Sequence, residues 1–63
     1  MNNVLIINKI RFEEVLKYSP GVLRYMDIVV ITDEETFTVW KDRRTGITGG
    51  SYDIKTLSSF LKD

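Results

Sequence analysis

The chain of 63 residues has no cysteine and no histidine, and it has only one proline and one tryptophan. Without cysteine it forms neither a disulfide nor a thiolate metal site, and without histidine it lacks the commonest ligand of transition metals. Histidine is also the usual general base near neutral pH, so the main route to acid–base catalysis is missing. The composition predicts a protein that is not an enzyme and that binds no metal or other cofactor.

Long apolar runs are absent too. The run at residues 4–7 is far too short for a signal-peptide core or a membrane span, so we expect a cytoplasmic protein without membrane association. The length allows one domain over residues 1–63, and a domain of this size buries only about 60% of the surface that its unfolded chain exposes. Such domains often gain stability by oligomerising, so a homodimer is expected.

The nine basic and nine acidic residues give a net charge of zero, which argues against non-specific binding to nucleic acid. Their distribution is uneven. Residues 1–25 carry four basic and two acidic residues, residues 26–40 carry four acidic residues and no basic one, and residues 41–63 carry five basic and three acidic ones. The folded molecule is therefore predicted to be dipolar, with an acidic hairpin tip and a basic loop.

The segment 27–41 predicts a β-hairpin with apolar residues on both faces. Residues 28–31 are an unbroken β-branched run, typical of a strand that is covered on both sides. Residues 33–35 supply a polar turn, and residues 37–40 return with strand-favouring side chains.

The length of the turn sets the register of this hairpin. A two-residue turn pairs Val30 with Val39 and Val29 with Trp40, whereas a three-residue loop shifts the pairing by one residue. In either register Val39 and Trp40 point to opposite faces. So short a chain can hardly cover both faces, and the Trp40 face is expected to remain for a second copy or a partner, unless residues 22–25 fold back over it.

The rest of the chain predicts one strand and two helices, with a further strand less clearly marked. Residues 4–7 indicate a first strand, and Asn8 can cap a helix whose apolar stripe begins at Phe12 and which ends near Pro20. Residues 47–52 could form a further strand, although the two adjacent glycines either weaken that strand or mark a bulge or a close backbone approach. Ser51 or Asp53 can then cap the last helix. The predicted fold class is a small two-layer α+β fold of order β-α-β-β-(β)-α, an antiparallel sheet with helices on one face.

In element order, the possible strands with a turn at Thr45 and Gly46, followed by a helix, resemble the N-terminal DNA-binding domains of integrases. With a helix in front, the order is also similar to a double-stranded-RNA-binding domain, although that family's lysine-rich start of the last helix is replaced here by residues 53–56. A minimal domain without catalytic residues is also similar to small accessory or inhibitor proteins of phages and mobile elements. Likeness of element order and size does not by itself assign a function.

The leading functional hypothesis is a non-enzymatic protein-interaction module that binds a larger protein and blocks or modulates it. The residues expected at its interface are Trp40, Tyr52, Ile28, Val30, Asp33, Glu34, Glu35, Arg43 and Arg44. The alternative is a nucleic-acid-binding module that uses the basic strand-turn loop 41–48 and stacks an aromatic side chain on bases. The cations expected in that case are Lys41, Arg43, Arg44 and Lys55.

Overall fold

A computed structural model describes residues 3–62, which form a four-stranded sheet packed against short helices. The strands, in their order across the sheet, are β1 (Val4–Asn8), β2 (Ile28–Thr32), β3 (Thr36–Asp42) and β4 (Gly49–Asp53). The helices are α1 (Lys9–Tyr18), α2 (Val22–Tyr25), the 3-10 turn Ile54–Thr56 and α3 (Leu57–Leu61). The small α+β fold and its element order, including the strand before the last helix, are confirmed. None of the helices within residues 3–62 is long and apolar enough to cross a membrane.

Local capping signals set the helix boundaries. The side chain of Asn8 accepts a hydrogen bond from the backbone N–H of Arg11 at 2.9 Å, so the predicted cap starts α1. The helix ends at Tyr18, because the proline two residues later disfavours further helical backbone before it. The carboxylate of Asp53 accepts from the backbone N–H of Lys55 at 2.9 Å and starts the 3-10 turn.

The sheet is mixed, whereas an antiparallel sheet was expected. β1 pairs with β2 in parallel, and the other two pairings, β2 with β3 and β3 with β4, are antiparallel. The physical reason is the connection: parallel neighbours need a crossover, and α1 and α2 supply one between β1 and β2.

Helices cover both faces of the sheet, which differs from the expected single helical layer. On one face, Ile28 and Val30 belong to a core cluster against which the 3-10 turn and α3 pack. On the other face, Val29 packs with Phe12 of α1 and Leu23 of α2. The second face is therefore not left open as a whole. Leu23 folds back over it, as the alternative for residues 22–25 allowed, and Trp40 at one end of this face stays 39% exposed.

The β2–β3 hairpin has the two-residue turn, but a bulge changes its register. Val30 lies opposite Val39, as the two-residue turn predicts. Val29 lies opposite Lys41, because a bulge inserts Trp40 as an extra residue in β3. Trp40 and Lys41 are thereby brought to the same face, although they are neighbours along the strand.

A second bulge occurs in β4 at the adjacent glycines, where the sequence left open a bulge, a close backbone approach or a weakened strand. Val39 lies opposite Gly49 and Thr38 lies opposite Ser51, so Gly50 is the extra residue. Gly50 has a φ of 81°, a conformation that residues with a Cβ rarely adopt.

Candidate interaction surfaces

The charged loops lie at opposite ends of the sheet. The turn between β2 and β3 carries Asp33, Glu34 and Glu35, and β3 then runs for seven residues, about 20 Å, to the basic loop. The described chain therefore has an acidic end and a basic end, as its charge pattern predicts. The acidic turn and the basic loop, which were expected at the same interface, therefore cannot both contact one small patch on a partner.

Arg44 of the basic loop is held inside the molecule by Asp42. Asp42 is only 2% exposed, and its Oδ1 accepts from the backbone N–H of Arg44 at 2.9 Å and from Arg44 Nε at 3.3 Å. Its Oδ2 accepts from Arg44 Nη2 at 3.3 Å and from the Thr45 hydroxyl at 3.0 Å. The guanidinium also donates to the carbonyl of Phe60 at 3.0 Å and lies 5.3 Å from the centroid of that ring. Arg44 therefore fastens the β3–β4 loop to α3, which makes it a structural residue.

The same contacts set the ionisation of Asp42. Burial acts to raise the pKa of this carboxyl, because the charged form loses its hydration. Hydrogen bonds from the side chain of Arg44, from Thr45 and from the Arg44 amide outweigh burial and hold the pKa of Asp42 below its ordinary value. Asp42 is therefore a carboxylate throughout the neutral range, and the charge of Arg44 is balanced inside the fold.

The other two cations of the loop are held by the opposite face. Lys41 Nζ donates to the carbonyl of Leu23 at 2.6 Å, which ties β3 to α2. Arg43 Nη2 donates to the carbonyl of Arg24 at 3.1 Å, and Arg43 Nη1 lies 3.7 Å from a carboxylate oxygen of Asp27. Both side chains are fixed near the surface by these contacts, and the side chain of Arg43 remains 59% exposed.

Trp40 forms the wall of an open depression at this end of the molecule. Its ring meets the ring of Phe12 edge-on, with centroids 5.4 Å apart, and the residue is 39% exposed. The depression measures about 460 Å³. It is lined by Leu16, Pro20, Leu23, Arg24, Trp40, Lys41 and Arg43. We call these seven residues the Trp40 depression.

Trp40, Lys41 and Arg43 were expected from the sequence at one or the other of the two alternative interfaces, but the helical side of this depression was not. Leu16, which is 43% exposed in the structure, does carry a usable sequence signal, because it lies four residues after Phe12 on the apolar stripe of α1. Pro20 and Arg24 carry none, since their approach to Trp40 depends on how α2 folds back over the sheet.

Tyr52 lies on the other face of the sheet, away from Trp40. It is directly opposite Phe37 in the β3–β4 pairing, and the two rings stack with centroids 5.4 Å apart. Phe37 belongs to the core cluster on the α3 side. Trp40 and Tyr52, although 39% and 40% exposed, therefore do not form one contact surface.

Other expected site residues are also separated or buried. Ile28 and Val30 are 1% and 0% exposed, so their assignment to a partner interface is wrong in this structure: both are core residues beneath α3. Lys55 lines a depression at the acidic end together with Glu34 and Glu35, far from Arg43. The four cations proposed for nucleic acid do not converge on one surface.

The acidic turn is a solvated hairpin tip. Asp33 Oδ1 accepts from the backbone N–H of Glu34 at 2.8 Å, and all three acidic residues of the turn are exposed. Within residues 3–62, no group of three or more acidic side chains is placed to hold a metal ion. The turn adds charge to this end of the molecule and keeps the hairpin in solvent.

Comparison of the chain with protein-family models, with curated proteins and with solved structures finds no match.

Proposed function

We propose that this domain is a non-enzymatic protein-interaction module, and that its working surface is the Trp40 depression. The observation that carries the proposal is a half-exposed tryptophan set among apolar side chains and rimmed by three cations. Large aromatics in such settings are typical anchors of protein interfaces. The partner segment that fits is an apolar side chain flanked by carboxylates.

The apolar residues that line the depression support the apolar part of this proposal. Leu16, Pro20 and Trp40 present apolar surface, and Leu16 and Trp40 are 43% and 39% exposed. Phe12 backs the Trp40 ring, so the indole is supported from behind and needs little ordering when a partner arrives. A leucine-sized or phenylalanine-sized side chain placed there would remove this surface from water.

The rim supports the acidic part. Lys41 and Arg43 are positioned by carbonyls of α2, and Arg24 adds a third positive charge. Lys41 uses one of its three N–H donors on the Leu23 carbonyl, so within residues 3–62 two are left for an acceptor. Asp27 is the nearby carboxylate and offsets one of the three charges through Arg43. The rim therefore favours an anionic partner by charge complementarity, with a modest gain in association rate.

A protein partner is favoured over nucleic acid by the same geometry. Arg44 is committed to Asp42 and Phe60, and Lys55 lies at the acidic end, so few cations remain to follow a phosphate backbone. Such a module acts by occupying a surface of a larger protein and so blocking or modulating it, as small accessory and inhibitor proteins of phages and mobile elements do. We place it in the cytoplasm, which its cysteine-free composition allows.

The test is a selection from a random peptide library displayed on phage, followed by affinity measurement on synthetic peptides. We expect the selected peptides to contain aspartate or glutamate close to leucine, isoleucine or phenylalanine. Trp40→Ala should weaken binding at least about thirtyfold, as removal of an anchoring tryptophan does. Arg24→Glu, at an exposed position, should weaken it at least about fivefold and reduce its dependence on salt.

Tyr52→Ala is the matched control, because Tyr52 has nearly the same exposure as Trp40 and lies on the other face. Its binding should be unchanged, and unfolding curves should show that every variant is folded under the assay conditions. Selected peptides that bind Trp40→Ala and the unchanged chain equally well would refute the proposal. Tighter binding of a single-stranded oligonucleotide than of any selected peptide would favour the nucleic-acid alternative.

A further inference from the structure

The outer edge of β1 is open within the part of the chain that the structure describes. β1 lies at the end of the sheet and pairs only with β2. In this parallel ladder the carbonyl of Asn3 accepts from Ile28, and strand geometry then turns the peptide groups of Leu5 and Ile7 toward β2. The N–H and C=O groups of Val4 and Ile6 consequently point away from the sheet.

The side chains of β1 do not protect this edge. Val4 and Ile6 are 42% and 47% exposed, and the strand contains no charged residue, no proline and no bulge. These are the devices by which proteins usually keep an edge strand from pairing. The opposite edge has two of them, because β4 carries a bulge at Gly50 and ends in the charged Asp53.

We propose that β1 pairs antiparallel with β1 of a second copy, about a two-fold axis at Ile6. The pairing joins two four-stranded sheets into one continuous sheet of eight strands. Ile6 then faces Ile6 of the other copy directly, and Val4 faces its Asn8 and lies diagonal to its Ile6. This interface is independent of the Trp40 depression, which lies on β3 at the other side of β2.

The outer flank of α1 gives the charge complementarity that selects a second copy. Lys9, Glu13 and Leu16 line a depression shared with β3, so they mark the inner flank of the helix. Arg11, Glu14 and Tyr18 line a separate surface depression on the other flank of the helix, the flank away from β3. Antiparallel helices around a two-fold axis place Arg11 beside Glu14 of the other copy, and the pair occurs twice.

The height of the two-fold axis along β1 agrees with the pairing of Arg11 with Glu14 of the other copy. β1 rises about 3.3 Å per residue, so Ile6 lies about 7 Å below the top of the strand at Asn8. α1 runs back at about 1.5 Å per residue and reaches the same level near residues 13 and 14. A two-fold axis there brings Arg11 and Glu14 of the other copy to within about 3 Å in height. The two molecular dipoles also lie antiparallel, with the acidic end of one copy beside the basic end of the other.

The first experiment is sedimentation velocity of the full chain over a dilution series from about 1 mM to about 1 µM. We expect a reversible dimer with a micromolar dissociation constant, because a five-residue edge and one helix flank make a small interface. Ile6→Lys should be monomeric throughout, since it sets two like charges against each other at the axis. Ile47→Lys is the matched control, at 44% exposure in the β3–β4 loop, and should dimerise like the unchanged chain. A chain that stays monomeric at the highest concentration overturns the proposal.

An exchange of the charges at Arg11 and Glu14 tests the geometry of the proposed dimer without a substitution in the strand next to the core. Arg11→Glu and Glu14→Arg should each raise the dimer dissociation constant about tenfold, and the double variant should return to within about threefold of the unchanged chain. Hydrogen exchange adds a local readout, because the Ile6 amide should become protected as concentration rises. A dimer that persists in Ile6→Lys would overturn the assigned interface. So would a double variant that does not recover the dimer affinity lost in the two single variants.

Discussion

Asp42→Asn hardly changes the shape of the side chain, yet the structure predicts that it lowers the free energy of unfolding strongly. Asparagine keeps the size of Asp42 and one acceptor oxygen, but it removes the charge and places an amide NH₂ where Oδ2 accepts from Arg44 and Thr45. The side chain of Arg44 is only 13% exposed, so its charge is left without a counter-ion in a largely dry site. Its Nη1 is buried and already has no hydrogen-bond partner among residues 3–62.

The expected cost is about 3 kcal/mol of unfolding free energy. Removing one partner of a buried ion pair costs about 3–5 kcal/mol, and we take the lower value because Arg44 keeps the Phe60 carbonyl and some access to water. A domain of this size has a total stability of about 3–9 kcal/mol. The variant is thus expected to melt roughly 12–24 °C lower than the unchanged chain.

Urea unfolding at pH 7, followed by the fluorescence of the single tryptophan, measures this cost directly. Asp27→Asn is the matched control: its ion pair with Arg43 is 3.7 Å long and more exposed, so it should cost less than about 1 kcal/mol. A cost for Asp42→Asn no greater than that of the control would refute our account of Arg44. In a double variant with Arg44→Gln, the cost should fall below the sum of the two single costs, because the stranded charge is gone.

Two further predictions concern stability, one for each face of the sheet. Because the pKa of Asp42 is lower in the folded chain than in the unfolded one, its contribution is complete above the ordinary carboxyl pKa of about 4 and is lost as pH falls through the folded value. The stability gap between the unchanged chain and Asp42→Asn should therefore narrow as the pH falls below the ordinary carboxyl pKa of about 4, and a gap that stays constant in acid would contradict the assignment. Leu23→Ala should cost about 2–4 kcal/mol because Leu23, on the sheet-facing side of α2, is 3% exposed, whereas the neighbouring Val22→Ala, at 42% exposure, should cost less than about 1 kcal/mol. Equal costs at these two positions would mean that α2 does not cover the sheet.

Much of the fold follows from local sequence signals, because caps, turns and strand runs act over a few residues. Asn8 caps α1 as expected, and Asp53, one of the two residues expected to cap the last helix, starts the 3-10 turn that precedes α3. The paired glycines lie at the bulge in β4. Asp42 also caps its own turn, because its carboxylate accepts a hydrogen bond from the Arg44 amide. These signals are readable because each residue satisfies a neighbour in sequence.

The faces of the helices were not predictable in the same way. Periodicity shows which side of a helix is apolar, but the face of the sheet on which it packs depends on the path of the chain. The sequence therefore left open whether residues 22–25 fold back over the sheet, and in the structure Leu23 does cover the face of Val29. The burial of Arg44 likewise depends on Phe60, sixteen residues further on, and a pair of adjacent arginines in a turn looks like a free basic patch until α3 is in place.

The bulge at Trp40 links these observations. Without the extra residue, strict alternation would send Lys41 to the α3 face and Asp42 to the face of Trp40. With it, Trp40 and Lys41 share the α2 side, and Asp42 turns to the α3 side, where it meets Arg44. One residue thus divides the charges of the loop into an internal ion pair that stabilises the fold and an exposed cationic rim beside an aromatic ring. The basic loop that appears as one feature in the sequence is two features in the structure, and only the part beside Trp40 remains available to a partner.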